Sequence, residues 1–169
     1  SPNAVAKLYG NMLDGEIWRS FSGATAHFEI WHLGVNMMSM TALGQEIEGH
    51  RLMSPIAFFL YNVSLIPIIS AIWLVLQTLA ERFQPSHHHV ATVGYSGVLF
   101  AWMVVASLEQ SSTCPIIFLP DVCFRTYSYG VLKFNLGPLV QLVVMQVLLP
   151  RVSLLGHLSG ILAGFCLHW

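Results

Sequence analysis

The chain has 169 residues, of which 55% are hydrophobic and only 9% are charged, and its formal net charge is −1. Soluble domains carry about a quarter charged residues, so this composition indicates a membrane protein. The near-neutral charge excludes a basic surface for nucleic acid, and no nucleic-acid partner is expected. The three cysteines lack metal-type spacing, and their odd number argues against a disulfide framework.

Apolar segments follow a polar first loop at 1–26 and account for most of the chain. A transmembrane helix needs roughly 20 mostly apolar residues. We therefore predict an all-α fold, a polytopic transmembrane helical bundle, as a single membrane domain over residues 1–169. The positive charges of the loops are balanced between the two sides and do not decide the orientation. The five predicted spans lie near 27–46, 53–80, 92–108, 134–150 and 152–169.

The first span carries a polar cluster in the stretch HFEIWHLGVNMMSM. His32 and Asn36 are four residues apart and share one helix face, and His27 lies near the helix start. Imidazole and amide groups can donate hydrogen bonds to a developing oxyanion, as acyl-transfer catalysis requires. The alternative is an interhelical hydrogen-bond cluster that holds the bundle together, and these residues alone leave both interpretations open.

A second cluster, Gly94-Tyr95-Ser96-Gly97, opens the third span. The glycines allow a helix to begin abruptly, which places Ser96 near a helix N-terminus, where free N–H groups stabilise negative charge. The stretch is not the G-x-S-x-G elbow of α/β-hydrolases, because residue 98 is Val. Taken alone, a serine beside glycines in a membrane helix indicates close packing rather than catalysis.

The third cluster is the stretch GHLSGILAG near the end of the chain. Gly156, Gly160 and Gly164 recur every four residues and form one smooth helix face, which His157 borders. If this face packs on the helix that carries Ser96, the imidazole comes close to the hydroxyl. A serine hydroxyl needs such a neighbouring base to become a nucleophile.

Together these motifs resemble the rhomboid intramembrane serine proteases. The sequence pattern of that family is Trp-Arg in the first loop, H-x4-H-x3-N, a Glu ending the helix, G-x-S-G, and a His with glycines at +3 and +7. The elements occur here in the family order, and the local sequences around the motifs are similar to those of the eukaryotic branch that includes the endoplasmic-reticulum rhomboid and its plant relatives. The matching residues are Trp18, Arg19, His27, His32, Asn36, Glu48, Gly94, Ser96, Gly97, His157, Gly160 and Gly164.

The resemblance implies a catalytic dyad in which Ser96 attacks the scissile carbonyl and His157 takes its proton, with no third acid. It implies that Asn36, His32 and the Ser96 N–H line an oxyanion hole. The wider set expected to bind the oxyanion or the substrate is His32, Asn36, His27, Gly94 and Phe100, the last lying one turn from the serine. Structural roles are implied for Trp18, Arg19, Glu48, Gly97, Gly156, Gly160 and Gly164.

The activity implied is hydrolysis of peptide bonds in or near transmembrane segments of membrane proteins, without a cofactor or a metal. The implied partners are transmembrane protein substrates and the lipid bilayer, with membrane-complex subunits as a further option. We expect an integral multi-pass protein, with the endoplasmic reticulum or another endomembrane favoured over the mitochondrion or plastid. Because the family has a six-helix core, we also expect a further helix ahead of the Trp-Arg loop.

Two other functions fit parts of the sequence. A non-catalytic rhomboid-like protein could bind or escort clients or serve as a subunit of a membrane assembly, although such relatives usually lose the serine or the histidine. A channel or proton relay could use the histidines, but no acidic residue lies inside a clear span to partner them. The HHH run at 87–89 could bind a metal, although a solvated interfacial loop is favoured.

Overall fold

Seven helices and five short strands make up the computed structural model, which describes residues 5–49, 54–83, 91–116, 119 and 121–168. The helices are α1 (Tyr9–Leu13), α2 (Arg19–Thr25), α3 (Ile30–Gly49), α4 (Pro55–Phe83), α5 (Ser96–Glu109), α6 (Gly137–Leu148) and α7 (Leu154–His168). The strands are β1 (Lys7–Leu8), β2 (Ala91–Thr92), β3 (Ser112–Thr113), β4 (Phe124–Tyr129) and β5 (Leu132–Asn135).

The five predicted spans correspond to α3 through α7, although the boundaries differ by a few residues. Among the described helices only α4, with 29 residues, is both long and apolar enough to cross a membrane. Helices α5, α6 and α7 are apolar but have 14, 12 and 15 residues. The number of spans therefore stays a prediction.

Helix α5 is the centre of the bundle and packs against α3, α4, α6 and α7. Its apolar side chains are buried along nearly its whole length, and Ala101 and Val104 have no exposed surface. One core cluster joins α5 to α3 and α4 around Trp102, and another joins it to α6 and α7 around Phe100. The helix that begins at Ser96 is therefore held on all sides, which favours a fixed position for that residue.

The outer surface of the bundle is strongly apolar. Trp31 on α3, Ile56 and Phe59 on α4, and Val143 and Val147 on α6 each expose more than 60% of their surface. Soluble proteins rarely leave so many large apolar side chains in water. An apolar exterior around a core that contains buried asparagine, serine and histidine is the arrangement that a lipid environment favours.

The segment after α5 differs from the sequence-based prediction. The predicted span at 134–150 begins instead as a hairpin of β4 and β5, and α6 starts only at Gly137. The buried Asn135 is the last residue of β5 and lies two residues before the start of α6. Its side-chain carbonyl accepts a hydrogen bond from the Gly137 N–H at 2.7 Å, and its amide reaches the Thr126 hydroxyl at 2.9 Å.

The expectation that the cysteines form no disulfide is wrong, because Cys114 and Cys123 are bonded. Strands β3 and β4 pair antiparallel, with Thr113 opposite Phe124. The next facing pair in that register is Cys114 and Cys123, so the hairpin itself brings the two thiols together. An odd cysteine count gives no sign of such a local pair.

Candidate active site

Ser96 and His157 meet at the contact between α5 and α7. The Nε2 atom of His157 lies 2.8 Å from the Oγ atom of Ser96, a hydrogen-bond distance, although the two residues are 61 positions apart. The histidine is 3% exposed, whereas the serine is only half-buried. The pair thus joins a shielded imidazole to a hydroxyl that a bound molecule can reach.

Glycines on α7 allow this approach, as their spacing predicts. A methyl group added to Gly160 would overlap the carbonyl oxygen of Gly97 and lie 2.8 Å from its carbonyl carbon. A methyl group on Gly164 would lie 2.8 Å from the Cβ atom of Val104. Gly97 faces the carbonyl oxygen of Gly156 in turn, at 3.2 Å from its added methyl group. The backbones of α5 and α7 therefore touch directly, as small-residue helix interfaces do in membranes.

The His157 imidazole packs against an aromatic ring and has no acid partner among the described residues. The ring of Phe100 lies 4.7 Å from the His157 ring, centroid to centroid, so it packs against the histidine one turn along α5 from the serine. Within the described part of the chain, nothing hydrogen-bonds to the buried Nδ1 atom of His157. No acid completes a triad there, and a proton on Nδ1 leaves Nε2 free to accept the serine proton.

His27 and Asn36 form a hydrogen-bonded pair beside the serine. The Nδ1 atom of His27 lies 3.2 Å from the Thr25 carbonyl oxygen, so it carries the proton and donates. The Nε2 atom then accepts from the Asn36 amide at 2.7 Å. His27 is therefore occupied in orienting Asn36 and has no second donor for an oxyanion, while the amide of Asn36 keeps one hydrogen available.

His32 lies over Gly94, two residues before the serine. A methyl group on Gly94 would lie 2.9 Å from the His32 Nε2 atom and 3.7 Å from the Asn36 amide nitrogen. Gly94 also has a φ of +106°, a conformation that favours glycine. The Nε2 atom of His32 is buried and has no partner among the described residues. Two polar side chains, His32 and Asn36, thus converge on the turn that leads into Ser96.

The Trp-Arg motif lies at the start of α2. The buried Arg19 donates to the carboxylate of Glu16 and, at 3.0 Å, to the Ala6 carbonyl oxygen, and its guanidinium lies over the Trp18 ring at 4.7 Å. Hydrogen bonds from Arg19 and then Asn11 lower the pKa of the Glu16 carboxyl. The bond to Ala6 ties the residue just before β1 to α2.

Two features singled out from the sequence lie partly or wholly outside the described part of the structure. The Glu48 side chain is not among the described groups, although its backbone belongs to α3. The HHH run at 87–89 lies outside the described residues.

A cavity of about 460 Å³ opens beside the dyad, a size typical of ligand sites. Ser96, His157, His32 and Gly94 line it, together with apolar groups of α4 and the segment 148–153 that precedes α7. Lys7 lines it too, although nothing in the sequence pattern around it suggests a site. Lys7 is therefore not among the site residues predicted from the sequence.

A second group that the sequence analysis missed supports the turn before the serine. Asn62 of α4 is 6% exposed, and its carbonyl oxygen accepts hydrogen bonds from the Tyr95 hydroxyl at 2.5 Å and the Trp102 indole at 2.9 Å. Tyr95 immediately precedes Ser96. A lone asparagine in a long apolar run is the signal that could have drawn attention to it.

The fold and the site define the class of the protein, which is a membrane-type helical bundle that carries a serine and a histidine in hydrogen-bond contact. Comparison with known proteins gives the family, since the Rhomboid domain model matches residues 14–169. The chain is 30% identical to Rhomboid-like protein 15 of Arabidopsis thaliana over 89% of its own length and 36% of that protein's. It is 32% identical to Rhomboid-related protein 4 of Homo sapiens, over 82% of this chain and 41% of that protein.

A fungal protein is similar over nearly the whole chain. Rhomboid-type serine protease 2 of Neurospora crassa is 26% identical, over 96% of this chain and 56% of its own length. The chain belongs to the rhomboid family, whose members are membrane-embedded helical bundles. It spans about half or less of the length of these relatives.

Proposed function

We propose that this protein is an intramembrane serine protease that hydrolyses peptide bonds in or near the transmembrane segments of other membrane proteins. The observation that carries the proposal is the 2.8 Å contact between the Nε2 atom of His157 and the Oγ atom of Ser96, at a cavity of about 460 Å³. Fungal relatives that are named rhomboid-type serine proteases support it. The proposed location is the endoplasmic reticulum or another endomembrane.

The chemistry follows from the positions of the two groups. The Oγ atom of Ser96 attacks the scissile carbonyl carbon while the Nε2 atom of His157 takes the hydroxyl proton. The resulting imidazolium gives that proton to the leaving amine as the peptide bond breaks, which leaves an acyl ester on the serine. Water, deprotonated by the same imidazole, then hydrolyses the ester and restores the free hydroxyl.

The oxyanion of the tetrahedral intermediate would be stabilised by three donors. Ser96 is the first residue of α5, so its backbone N–H has no partner within the helix. The free hydrogen of the Asn36 amide and the Nε2 atom of His32 lie on the Gly94 side of the same turn. We assign His27 the role of orienting Asn36, because its Nε2 atom already accepts from that amide.

Substitution of the dyad tests the proposal. The protein is reconstituted in vesicles with a model transmembrane substrate, and cleavage is followed for Ser96→Ala and His157→Ala, both of which should be inactive yet folded. Ser107→Ala and His168→Ala are matched controls, because they lie farther along α5 and at the end of α7, away from the cavity. Cleavage that persists in either dyad variant would refute the assignment. A wild-type protein that binds the substrate without cleaving it would instead support client binding.

A further inference from the structure

Lys7 is a buried cation in the wall of the candidate active site. It belongs to β1, which pairs with β2 so that Lys7 lies opposite Thr92, four residues before Ser96. Only 7% of its surface is exposed, and it lines the same cavity as the dyad. Its side chain packs over Gly23, where an added methyl group would lie 3.5 Å from the lysine Cβ atom. Strand pairing and this contact hold the lysine in the wall of the cavity that Ser96 also lines.

Three of the other described cations have compensation that Lys7 lacks. Arg19 is paired with Glu16, Lys133 lies 4.0 Å from Glu109, and Arg151 is exposed to solvent. Among the described side chains, no acid pairs with Lys7, and none accepts a hydrogen bond from it. Burial lowers the pKa of its ammonium to about 8, so the group is still mostly charged at pH 7. A buried charge without a partner is costly, which makes an incoming anion favourable.

Resting on the proposed protease function, we propose that Lys7 is a specificity-determining residue that binds an acidic side chain of the substrate close to the scissile bond. A carboxylate entering the cavity would supply the missing counter-charge and accept charge-assisted hydrogen bonds from the ammonium. Apolar side chains, among them Ile66, Ile69 and Trp73, also line the cavity and would partly shield the pair from water. Glu29 and Arg151 also line the cavity, but both are exposed and screened.

Paired substrates give the direct test. Model transmembrane substrates carry either Glu or Gln at successive positions on either side of a small-residue cleavage region, and kcat/KM is measured for each pair. At the position that reaches Lys7, the wild-type enzyme should prefer Glu by roughly tenfold, the size expected for a hydrogen-bonded charge pair. The Lys7→Met variant should lose this preference while still cleaving the Gln substrate, and Lys7→Glu should prefer a Lys substrate at the same position.

Control variants separate this role from a general effect of charge. Lys133→Met, far from the cavity, should keep the preference in full, and Lys7→Arg should keep most of it. Should Lys7→Met fold poorly in thermal unfolding measurements, Lys7→Gln supplies the same comparison with a shorter neutral side chain. A preference that survives loss of the Lys7 charge, or that disappears in Arg151→Met instead, would overturn the proposal.

A binding measurement separates failure of this inference from failure of the proposed function. Fluorescence anisotropy of the Glu and Gln peptides on the Ser96→Ala variant reports the preference without any catalysis. Cleavage of neutral substrates with no Glu preference at any position would overturn the role of Lys7 and leave the protease intact. Absence of cleavage with tighter binding of the Glu peptide, lost on adding Lys7→Met, would overturn the protease and support Lys7 as an anion-binding residue.

Discussion

Gly160→Ala is expected to move the side chains of Ser96 and His157 apart without replacing either residue. The added methyl group would overlap the Gly97 carbonyl oxygen and lie 2.8 Å from its carbonyl carbon, where ordinary contacts begin at 3.4 Å. Both neighbours are backbone atoms inside a packed interface and cannot rotate away. The helices must therefore part by roughly 1 Å, which is an overpacking strain of about 1–3 kcal/mol.

That displacement acts directly on the Ser–His contact. Gly160 is one turn after His157, and Gly97 follows Ser96, so the separation adds to the 2.8 Å between Nε2 and Oγ. A further ~1 Å exceeds hydrogen-bond range, and misplacement of this size can cost about 100-fold in rate. We expect kcat for a transmembrane substrate to fall by about that factor. Thermal unfolding in detergent should show the protein folded but less stable.

Gly34→Ala is the matched control for this substitution. Gly34 lies in α3, and a methyl group added there meets nothing within 4 Å. Replacing it should preserve activity and leave stability unchanged or raised by up to about 1 kcal/mol through helix propensity. If Gly160→Ala retained wild-type kcat, the claim that this glycine contact sets the dyad distance would be refuted.

Three further substitutions test other parts of the site. Asn36→Ala should lower kcat by about 10²–10³-fold with little change in KM, because an oxyanion donor acts mainly on the transition state; steady-state cleavage kinetics measure it. Asn62→Leu should lower the free energy of unfolding by about 1–3 kcal/mol, since the Tyr95 hydroxyl and Trp102 indole would lose their acceptor. The preference for Glu over Gln substrates should fall as the pH rises through about 8, the pKa to which burial lowers the Lys7 ammonium, because only the protonated lysine attracts the carboxylate.

Each of these has its own control and contradicting outcome. For Asn36→Ala the control is Thr41→Val on the same helix, which removes only a hydrogen bond within α3 and should leave kcat unchanged. An Asn36→Ala variant in which KM alone rises would contradict an oxyanion role. Ser70→Ala on α4 likewise removes an intrahelical bond, and an Asn62→Leu variant as stable as Ser70→Ala would argue against the shared acceptor. In Lys7→Arg the substrate preference should be independent of pH, and a parallel decline there would rule out the lysine as the source.

The sequence predicted the parts of the site that depend on periodicity and on family motifs. The four-residue spacing of Gly156, Gly160 and Gly164 indicated a narrow helix face, and the structure packs the Gly160 and Gly164 part of that face on α5. Because the Gly–Ser–Gly turn and the histidine flank this interface, their proximity followed from the same pattern. Such inferences hold because helix geometry is regular and close helix packing requires small residues.

Features set by tertiary register could not be predicted in this way. The disulfide depends on the pairing of β3 with β4, which places Cys114 opposite Cys123, and neither short strand has a sequence signature. The uncharged run at 134–150 does not reveal that Phe134 belongs to a hairpin strand. Lys7 reaches the cavity only because β1 pairs with β2, two segments separated by two long helices.

Labelling with a fluorophosphonate, followed by peptide mass spectrometry, shows whether Ser96 is an activated nucleophile, because the reagent reacts preferentially with activated serines. We expect modification of Ser96, its loss in Ser96→Ala, and strong reduction in His157→Ala, with the buried Ser107 of the same helix unmodified. Modification of a different serine, or labelling of Ser96 that is undiminished in His157→Ala, would contradict the dyad.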